Sequence, residues 1–361
     1  VTLTVVGNSL RWHDVPIVLR GVAVGDPLDA RGWRPTSDYT TLSSTWGCNC
    51  VRLSVQSLSW RDQQAGLLEA LESDVAAALA ADMWVIITWH VIGWPDGFTD
   101  TPEWYDTSWD LCVDFWTDMR TRFGGEPRVL FELWNEPLSE TAYSSTTNED
   151  TWPELSGRHQ ELVDLIRAVS SNVVLCSGDM NSYDLRSIAD NLITGDNVGY
   201  IWHVYPLYNA DPPIGKSTIA EHQADWAEKL DGLPAVAPVV VTEWGFQPDV
   251  ADHWSGTAES FGTPLVELLD DDDLHWTAWI WHPEWGPPML TEDWSGVNVF
   301  GAFVQATLAA TTQARPSAEP EDPEDPEEPE PPEQPPAVLH RILRRKPTGG
   351  PMQTIRVVRP S

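Results

Sequence analysis

Residues 129–137 read VLFELWNEP, and residues 238–245 read PVVVTEWG. Each is a short apolar run, rich in β-branched or aromatic residues, that leads into a carboxylate: Glu136 in the first and Glu243 in the second. A run this short, with such residues, reads as a buried strand rather than a helix. Similar runs recur at Leu19–Val24, Cys50–Val55, Trp84–Trp89, Val129–Trp134, Asn172–Cys176, Tyr200–Val204, Pro238–Thr242 and Trp276–Trp281, eight in all. Between them lie segments with helix-like patterning: Gly66–Ala81, Ser108–Phe123, Glu154–Val169, Ser217–Leu230, Thr257–Leu269 and Asn298–Ala310. Strands alternating with helices predict βαβ units and a parallel sheet. Eight such units predict an α/β chain closed as a (β/α)8 TIM barrel. No Gly-rich phosphate loop follows the first run, which argues against a dinucleotide fold.

The barrel is expected over residues 1–315. Residues 1–18 read as a short N-terminal β-hairpin, with VTLTVV and VPIVL as strands and Gly7-Asn8 and His13-Asp14 as turn residues. The composition breaks near Arg315. Residues 316–336, PSAEPEDPEDPEEPEPPEQPP, carry nine acids and no base. Such a Pro/Glu-rich stretch repels itself and has nothing to bury, so it is expected to be a disordered linker. Residues 337–361 carry six bases and no acid, form a tail too short for a domain, and have no assigned role. The chain opens VTLTVVGNSL without Met or a basic leader region, as when a signal peptide is removed or left out.

Net charge is −34, and residues 1–315 hold 46 acids against 15 bases. This excludes a basic footprint for nucleic acid. No apolar run is long enough to span a membrane. Only Lys216, Lys229 and Lys346 are lysines. An acidic, Lys-poor surface is what a salt-adapted protein tends to carry, because its self-repulsion is screened at high salt. Ordinary acidic solubility is the alternative. The four cysteines, Cys48, Cys50, Cys112 and Cys176, are too few for a disulfide framework and lack zinc-ligand spacing. They are expected to be buried free thiols. Twenty-one tryptophans supply flat faces for core packing or for stacking on sugar rings.

In a parallel barrel, reactive groups sit at the C-terminal ends of the strands. Glu136 and Glu243 follow the fourth and seventh runs and are expected to face each other across the mouth. Two opposed carboxylates are the minimal kit for glycoside cleavage: one protonates the leaving oxygen, and the other attacks the anomeric carbon or activates water.

With those residues in view, the chain resembles glycoside hydrolase family 5, the cellulase type, over nearly all of residues 1–313. The resemblance rests on Asn135-Glu136-Pro137 and Glu243, with Arg52 in NCVRLSV, His90 in VIITWH, His203 and Tyr205 in WHVYP, and Trp279 in WTAWIWHP. It implies Glu136 as acid/base and Glu243 as nucleophile. Arg52 and Tyr205 would then support the nucleophile, and His203 the acid. Asn135 and His90 would hold sugar hydroxyls, and Trp279 would lie beneath the sugar. Trp281 shares Trp279's face if strand alternation continues, and is a second candidate. Trp94, Trp104 and Trp285 are candidates for outer subsites or plain packing. Thr88 stands where many relatives carry Asp or Asn, and EWG replaces the commoner EFG around Glu243.

The resemblance implies a retaining, endo-acting β-1,4-glucanase. It would be secreted and monomeric, with a β-linked polysaccharide as its partner and no cofactor or metal. An endo-β-1,4-mannanase with the same mechanism is the near alternative. A non-catalytic polysaccharide-binding barrel is the alternative from another class. A metal-dependent hydrolase lacks its His-x-His or Asp cluster.

Overall fold

Strands buried on both faces form the barrel of the computed structural model, which describes residues 3–28, 34–143, 151–206 and 218–317. Three short N-terminal strands come first: β1 (Thr4–Val6), β2 (Ser9–Trp12) and β3 (Val15–Ile17). The barrel strands are β4 (Arg20–Val24), β5 (Cys50–Gln56), β6 (Trp84–His90), β7 (Val129–Glu132), β8 (Val174–Ser177), β9 (Val198–Val204), β10 (Val239–Trp244) and β11 (His275–Ala278). They form a closed barrel of parallel strands, with β11 pairing back to β4 through Trp276–Arg20, Thr277–Gly21 and Ala278–Val22. The expected TIM barrel is the fold.

The described α-helices are α1 (Thr36–Thr41), α2 (Ser57–Ala80), α3 (Trp109–Arg122), α4 (Glu140–Tyr143), α5 (Trp152–Arg167), α6 (Asp179–Ser182), α7 (Ile219–Leu230), α8 (Thr263–Asp271) and α9 (Val299–Ala309). Helix α2 begins nine residues before the expected Gly66, with a kink at Gln63 (φ −138°, ψ 30°). The polar stretch around that kink hides the helical period.

Each strand divides its side chains between two cores. On β5, Val51, Leu53 and Val55 pack with Leu67 and Leu71 of α2 in the layer between barrel and helices. Cys50 instead points inward, joining Trp84, Ile86, Leu130, Leu175, Ile201 and Val240 in an apolar plug at the N-terminal end of the barrel. Leu10, Trp12 and Ile17 of the N-terminal sheet close that plug from below. Above it the interior turns polar: Arg52, Ser54, Thr88, Glu132, Ser177, His203, Thr242 and Thr277 are all fully buried. Catalytic chemistry in this fold needs such a layer near the strand ends, and the apolar plug seals it from the other side.

Residues 1–18 were expected as a hairpin and instead hold a three-stranded antiparallel meander, β1-β2-β3. The expected turns are real, with His13 and Asp14 at φ 51° and 64°. The middle strand, Ser9–Trp12, is too short to announce itself between them. Its Trp12 Nε1 donates to the Pro316 carbonyl at 2.8 Å. Arg315 donates to the Cys48 carbonyl (2.6 Å) and to Ser43 Oγ (2.9 Å), and Ser317 N donates to Asp82 Oδ1 (3.0 Å). Pro316 and Ser317 therefore belong to the barrel rather than to the linker. The rest of the expected linker and the basic tail lie outside the described residues. All four cysteines are buried and unpaired, as expected. No described helix is long and apolar enough to cross a membrane.

Candidate active site

The site is built on Arg52, which β5 holds inside the barrel with no exposure. A guanidinium cannot be left there without partners, because its desolvation is not otherwise repaid. Arg52 Nε and Nη2 donate in parallel to Glu132 Oε2 (2.8 Å) and Oε1 (2.6 Å). Nη1 donates to Glu243 Oε1 at 2.8 Å, and Nη2 also donates to Asn135 Oδ1 at 2.6 Å. One cation thus joins residues carried by or following β5, β7 and β10.

Glu243 reaches the interior because β10 is irregular. Val240 faces the plug, while Val239 and Val241 face the helices. Simple alternation would then send Glu243 outward with Val241. The register against β9 instead steps between Val241–Trp202 and Glu243–His203, leaving Thr242 as an extra residue. A bulge of this kind re-aims the side chains that follow it. Thr242 and Glu243 consecutively face inward, and Trp244 returns to the outer core. The second oxygen of Glu243 accepts from the Tyr205 hydroxyl at 2.9 Å.

Glu136 follows β7 and lies opposite. Its Oε1 is 2.8 Å from His203 Nδ1, and its Oε2 accepts from Asn181 Nδ2 at 3.1 Å. His203 Nε2 meets Thr242 Oγ1 at 3.0 Å. Burial, against the pull of Glu243, lowers the His203 pKa to about 4, so the ring is neutral near pH 7. A neutral ring can give Nδ1–H to a Glu136 carboxylate while Thr242 donates to Nε2. It can also take the opposite tautomer when Glu136 is protonated, because a threonine hydroxyl both donates and accepts. Atoms of Glu136, His203 and Glu243 all lie within 4.8 Å of one another, the one grouping of metal-ligand type among the described residues. Both Glu243 oxygens are already engaged, by Arg52 and Tyr205.

Burial pushes the Glu243 carboxyl up, while His203 and Arg52 pull it down and Glu136 adds to the rise. Near pH 7 the His203 ring is neutral, so Arg52 is the neighbour that keeps its positive charge there. Burial works against its own charge, but Glu132 and Glu243 more than reverse this and keep it a cation.

Above the carboxylates lies an aromatic mouth. Trp279 packs with Ala23, Tyr205 and Ile280, flanked by Trp254 and Trp285. Its ring stacks on His90 (centroids 5.1 Å apart, planes 13° apart), and its Nε1 donates to the Gly286 carbonyl at 3.0 Å. Burial, then the charges of Arg52 and His203, hold the His90 pKa well below its ordinary value. His90 Nδ1 and Thr88 Oγ1 are buried with no hydrogen-bond partner among the described residues.

A family model for cellulase, glycosyl hydrolase family 5, matches residues 13–284. The chain belongs to glycosyl hydrolase family 5. Among solved structures, this family 5 chain is similar to a β-glucanase of Saccharophagus degradans in complex with cellotetraose. The TM-score is 0.78 at 26% identity, over 86% of this chain and 94% of that one. The catalytic domain of a Thermobifida fusca endoglucanase shares the fold, with TM-score 0.67 at 19% identity over 85% and 97% of the two chains. An endoglucanase of Microbulbifer sp. is 25% identical over 292 residues, covering 77% of this chain and 50% of that protein. The chain spans about half the length of that curated relative.

The barrel brings together Arg52, His90, Asn135, Glu136, His203, Tyr205, Glu243 and Trp279, but not Trp281. Strand β11 ends at Ala278, so the alternation expected to continue to Trp281 stops before it. Trp281 packs in the outer core, 6.0 Å from Trp294. Of the outer candidates, Trp285 reaches the mouth, 5.9 Å from Trp279. Trp94 packs on the outer core and donates to Glu154 Oε1 at 3.3 Å. Trp104 is 61% exposed. Sequence reasoning missed Glu132, Thr242, Asn181 and Tyr105, whose ring is 6.1 Å from His90. Glu132 alone had a readable signal: a lone acid inside an apolar strand needs a cation, and Arg52 lies inside another such run.

Proposed function

We propose that this chain is a retaining, endo-acting glycoside hydrolase that cleaves β-1,4-glucan by double displacement. The observation that carries this reading is the pairing of Glu243, held by Arg52 and Tyr205, with Glu136, held by His203, one oxygen of each lying within 4.8 Å of the other. Retaining glycosidases keep their carboxyl groups about 5–5.5 Å apart, whereas inverting enzymes need room for water between them.

In the first step, protonated Glu136 gives its proton to the glycosidic oxygen while a Glu243 oxygen attacks the anomeric carbon. The leaving chain departs as an alcohol, and a glycosyl ester forms on Glu243. In the second step, Glu136, now a carboxylate, takes a proton from water as that water attacks the same carbon, and Glu243 leaves. Arg52 and the Tyr205 hydroxyl stabilise the ionised nucleophile before the first displacement and again once the second releases it. Asn135 and His90 would hydrogen-bond sugar hydroxyls, and Trp279 would support the sugar face. Glucan is favoured over mannan because the similar β-glucanase was solved with cellotetraose. A polymer of this kind is met outside the cell, where the protein is proposed to act as a monomer.

A fluorinated dinitrophenyl cellobioside, which slows breakdown of the ester, provides the test. Mass spectrometry of the digested protein should place one sugar on Glu243, and proton NMR of glucan hydrolysis should detect the β-anomer first. An α-anomer first, with Glu243 unlabelled, defeats retention. Faster cleavage of mannan than of carboxymethylcellulose overturns the glucan assignment.

A further inference from the structure

The segment after β8, Gly178–Tyr183, supplies a group that the two-carboxylate scheme leaves unused. Met180, Asn181 and Ser182 stand consecutively in left-handed conformation, at φ 54°, 59° and 62°. L-residues avoid this region, Asn being among the few that tolerate it, and three such residues in a row persist only where surroundings impose them. Here the surroundings are explicit. Asp179 Oδ1 accepts from Ser139 N (3.0 Å) and Met180 N (2.6 Å), while its Oδ2 accepts from Ser139 Oγ and Thr151 Oγ1, each at 2.7 Å. Asn181 N donates to the Pro137 carbonyl at 2.9 Å, and Ser182 Oγ to the Asn135 carbonyl at 2.5 Å. The turn is therefore pinned to Asn135, Pro137 and Ser139, which flank Glu136 in the chain. It delivers one side chain to that carboxyl, Asn181 Nδ2 to Oε2 at 3.1 Å.

We infer that Asn181 is a positioning residue for Glu136, using its amide N–H to aim the carboxyl and favour its ionised form. The inference rests on the reading of Glu136 as acid and base. A donor to a carboxylate oxygen stabilises the charged state over the protonated one. Glu136 needs both states in one turnover, and Glu243 opposite it favours the protonated one. Asn181 is the uncharged counterweight. His203 on the other oxygen can follow either state by changing tautomer, whereas an amide N–H only donates.

Other groups also act on Glu136. Glu243 of β10 and His203 of β9 face it directly, with Arg52 of β5 behind Glu243 and Glu132 of β7 on the far side of Arg52. Tyr105, in the loop after β6, and His253, in the loop after β10, also feel its charge. None of these changes when Asn181 is replaced, so a shift in the titration of Glu136 in an Asn181 variant reports on the amide.

The test compares kcat/KM against pH for the wild type, Asn181→Asp and Asn181→Gly. Aspartate keeps the shape and tolerates the left-handed backbone but removes the donor and adds a like charge. Glycine removes the amide with no backbone penalty. On a cello-oligosaccharide, whose leaving group needs a proton, the alkaline limb should move up by about one pH unit in Asn181→Asp and by about half a unit in Asn181→Gly. On dinitrophenyl β-cellobioside, whose leaving group needs no acid, plateau kcat/KM should fall clearly less than on the oligosaccharide. A merely structural role would lower both rates together and leave the limb in place. A limb unchanged in a folded Asn181→Asp protein overturns the inference; if that variant does not fold, an unchanged limb in Asn181→Gly does so. A wild type that hydrolyses neither substrate is a different outcome, in which the proposed function itself falls and this inference with it.

Discussion

Replacing Arg52 by Met should move the ionisation of the nucleophile, and the size of the effect follows from the geometry. Arg52 Nη1 lies 2.8 Å from Glu243 Oε1, and both side chains are almost wholly buried. Two unit charges about 4 Å apart, at an effective dielectric constant of about 20, attract by about 4 kcal/mol. That is roughly three pH units at about 1.4 kcal/mol each. Burial already pushes Glu243 up, and His203 and Tyr205 would remain as partial support. The acid limb of kcat/KM should therefore rise by roughly two to three units, and at pH values below both limbs the rate should fall about 100- to 1,000-fold. The assay uses dinitrophenyl β-cellobioside, because its departure needs no proton and the limb reports Glu243 alone.

Arg52→Met also strips Glu132 of its bidentate partner, and breaking a buried pair costs about 3–5 kcal/mol. Adding Glu132→Leu removes that second orphan and should restore thermal stability without restoring the limb. An acid limb within about half a unit of the wild type, in either folded variant, would refute the claim that this cation keeps the nucleophile ionised.

The two strand-eight tryptophans should separate cleanly. Trp281→Ala should destabilise the fold by about 3–5 kcal/mol and leave kcat/KM of the folded fraction unchanged, while Trp279→Ala should lower kcat/KM about tenfold with less effect on Tm. Activity lost in Trp281→Ala at full stability would reverse their placement. Buried His159 has its pKa lowered to about 4, so unfolding takes up a proton below the unfolded value near 6.5, and its contribution to stability is lost as pH falls from there toward 4. Between these limits His159→Gln should relieve roughly 3 kcal/mol of the acid-induced loss, and unfolding curves with the same pH dependence in both proteins would contradict this. For the acidic, Lys-poor surface, Tm should rise from low to molar salt; a flat profile leaves ordinary acidic solubility as the explanation.

The strands were legible because a parallel barrel buries both faces of each one, and the result is an unbroken apolar run bounded by polar loops. Their ends were less so: the eighth run reads apolar as far as Trp281, although pairing stops at Ala278. The two carboxylates and Arg52 stood out as charged or polar groups at the ends or interior of otherwise apolar runs. Glu132 sat inside such a run, and its partner came from two strands earlier in the chain. Thr242 could not be read at all, since VVVTEW has the same letters whether the strand is regular or bulged. Asn181 lies in a turn with no periodicity, and its aim depends on hydrogen bonds from Ser139 and Thr151, far from it in sequence.

The irregularity in β10 has a mechanical consequence. Because Thr242 and Glu243 face the same way, the brace behind His203 and the attacking carboxylate hang from adjoining residues of one chain. Breathing of the barrel that slides β10 against its neighbours carries both along. The group that orients His203 and the attacking carboxylate therefore keep their spacing to each other, although the proton donor itself is carried by the chain after β7. A straight strand of the same composition could keep every side chain and lose that shared footing.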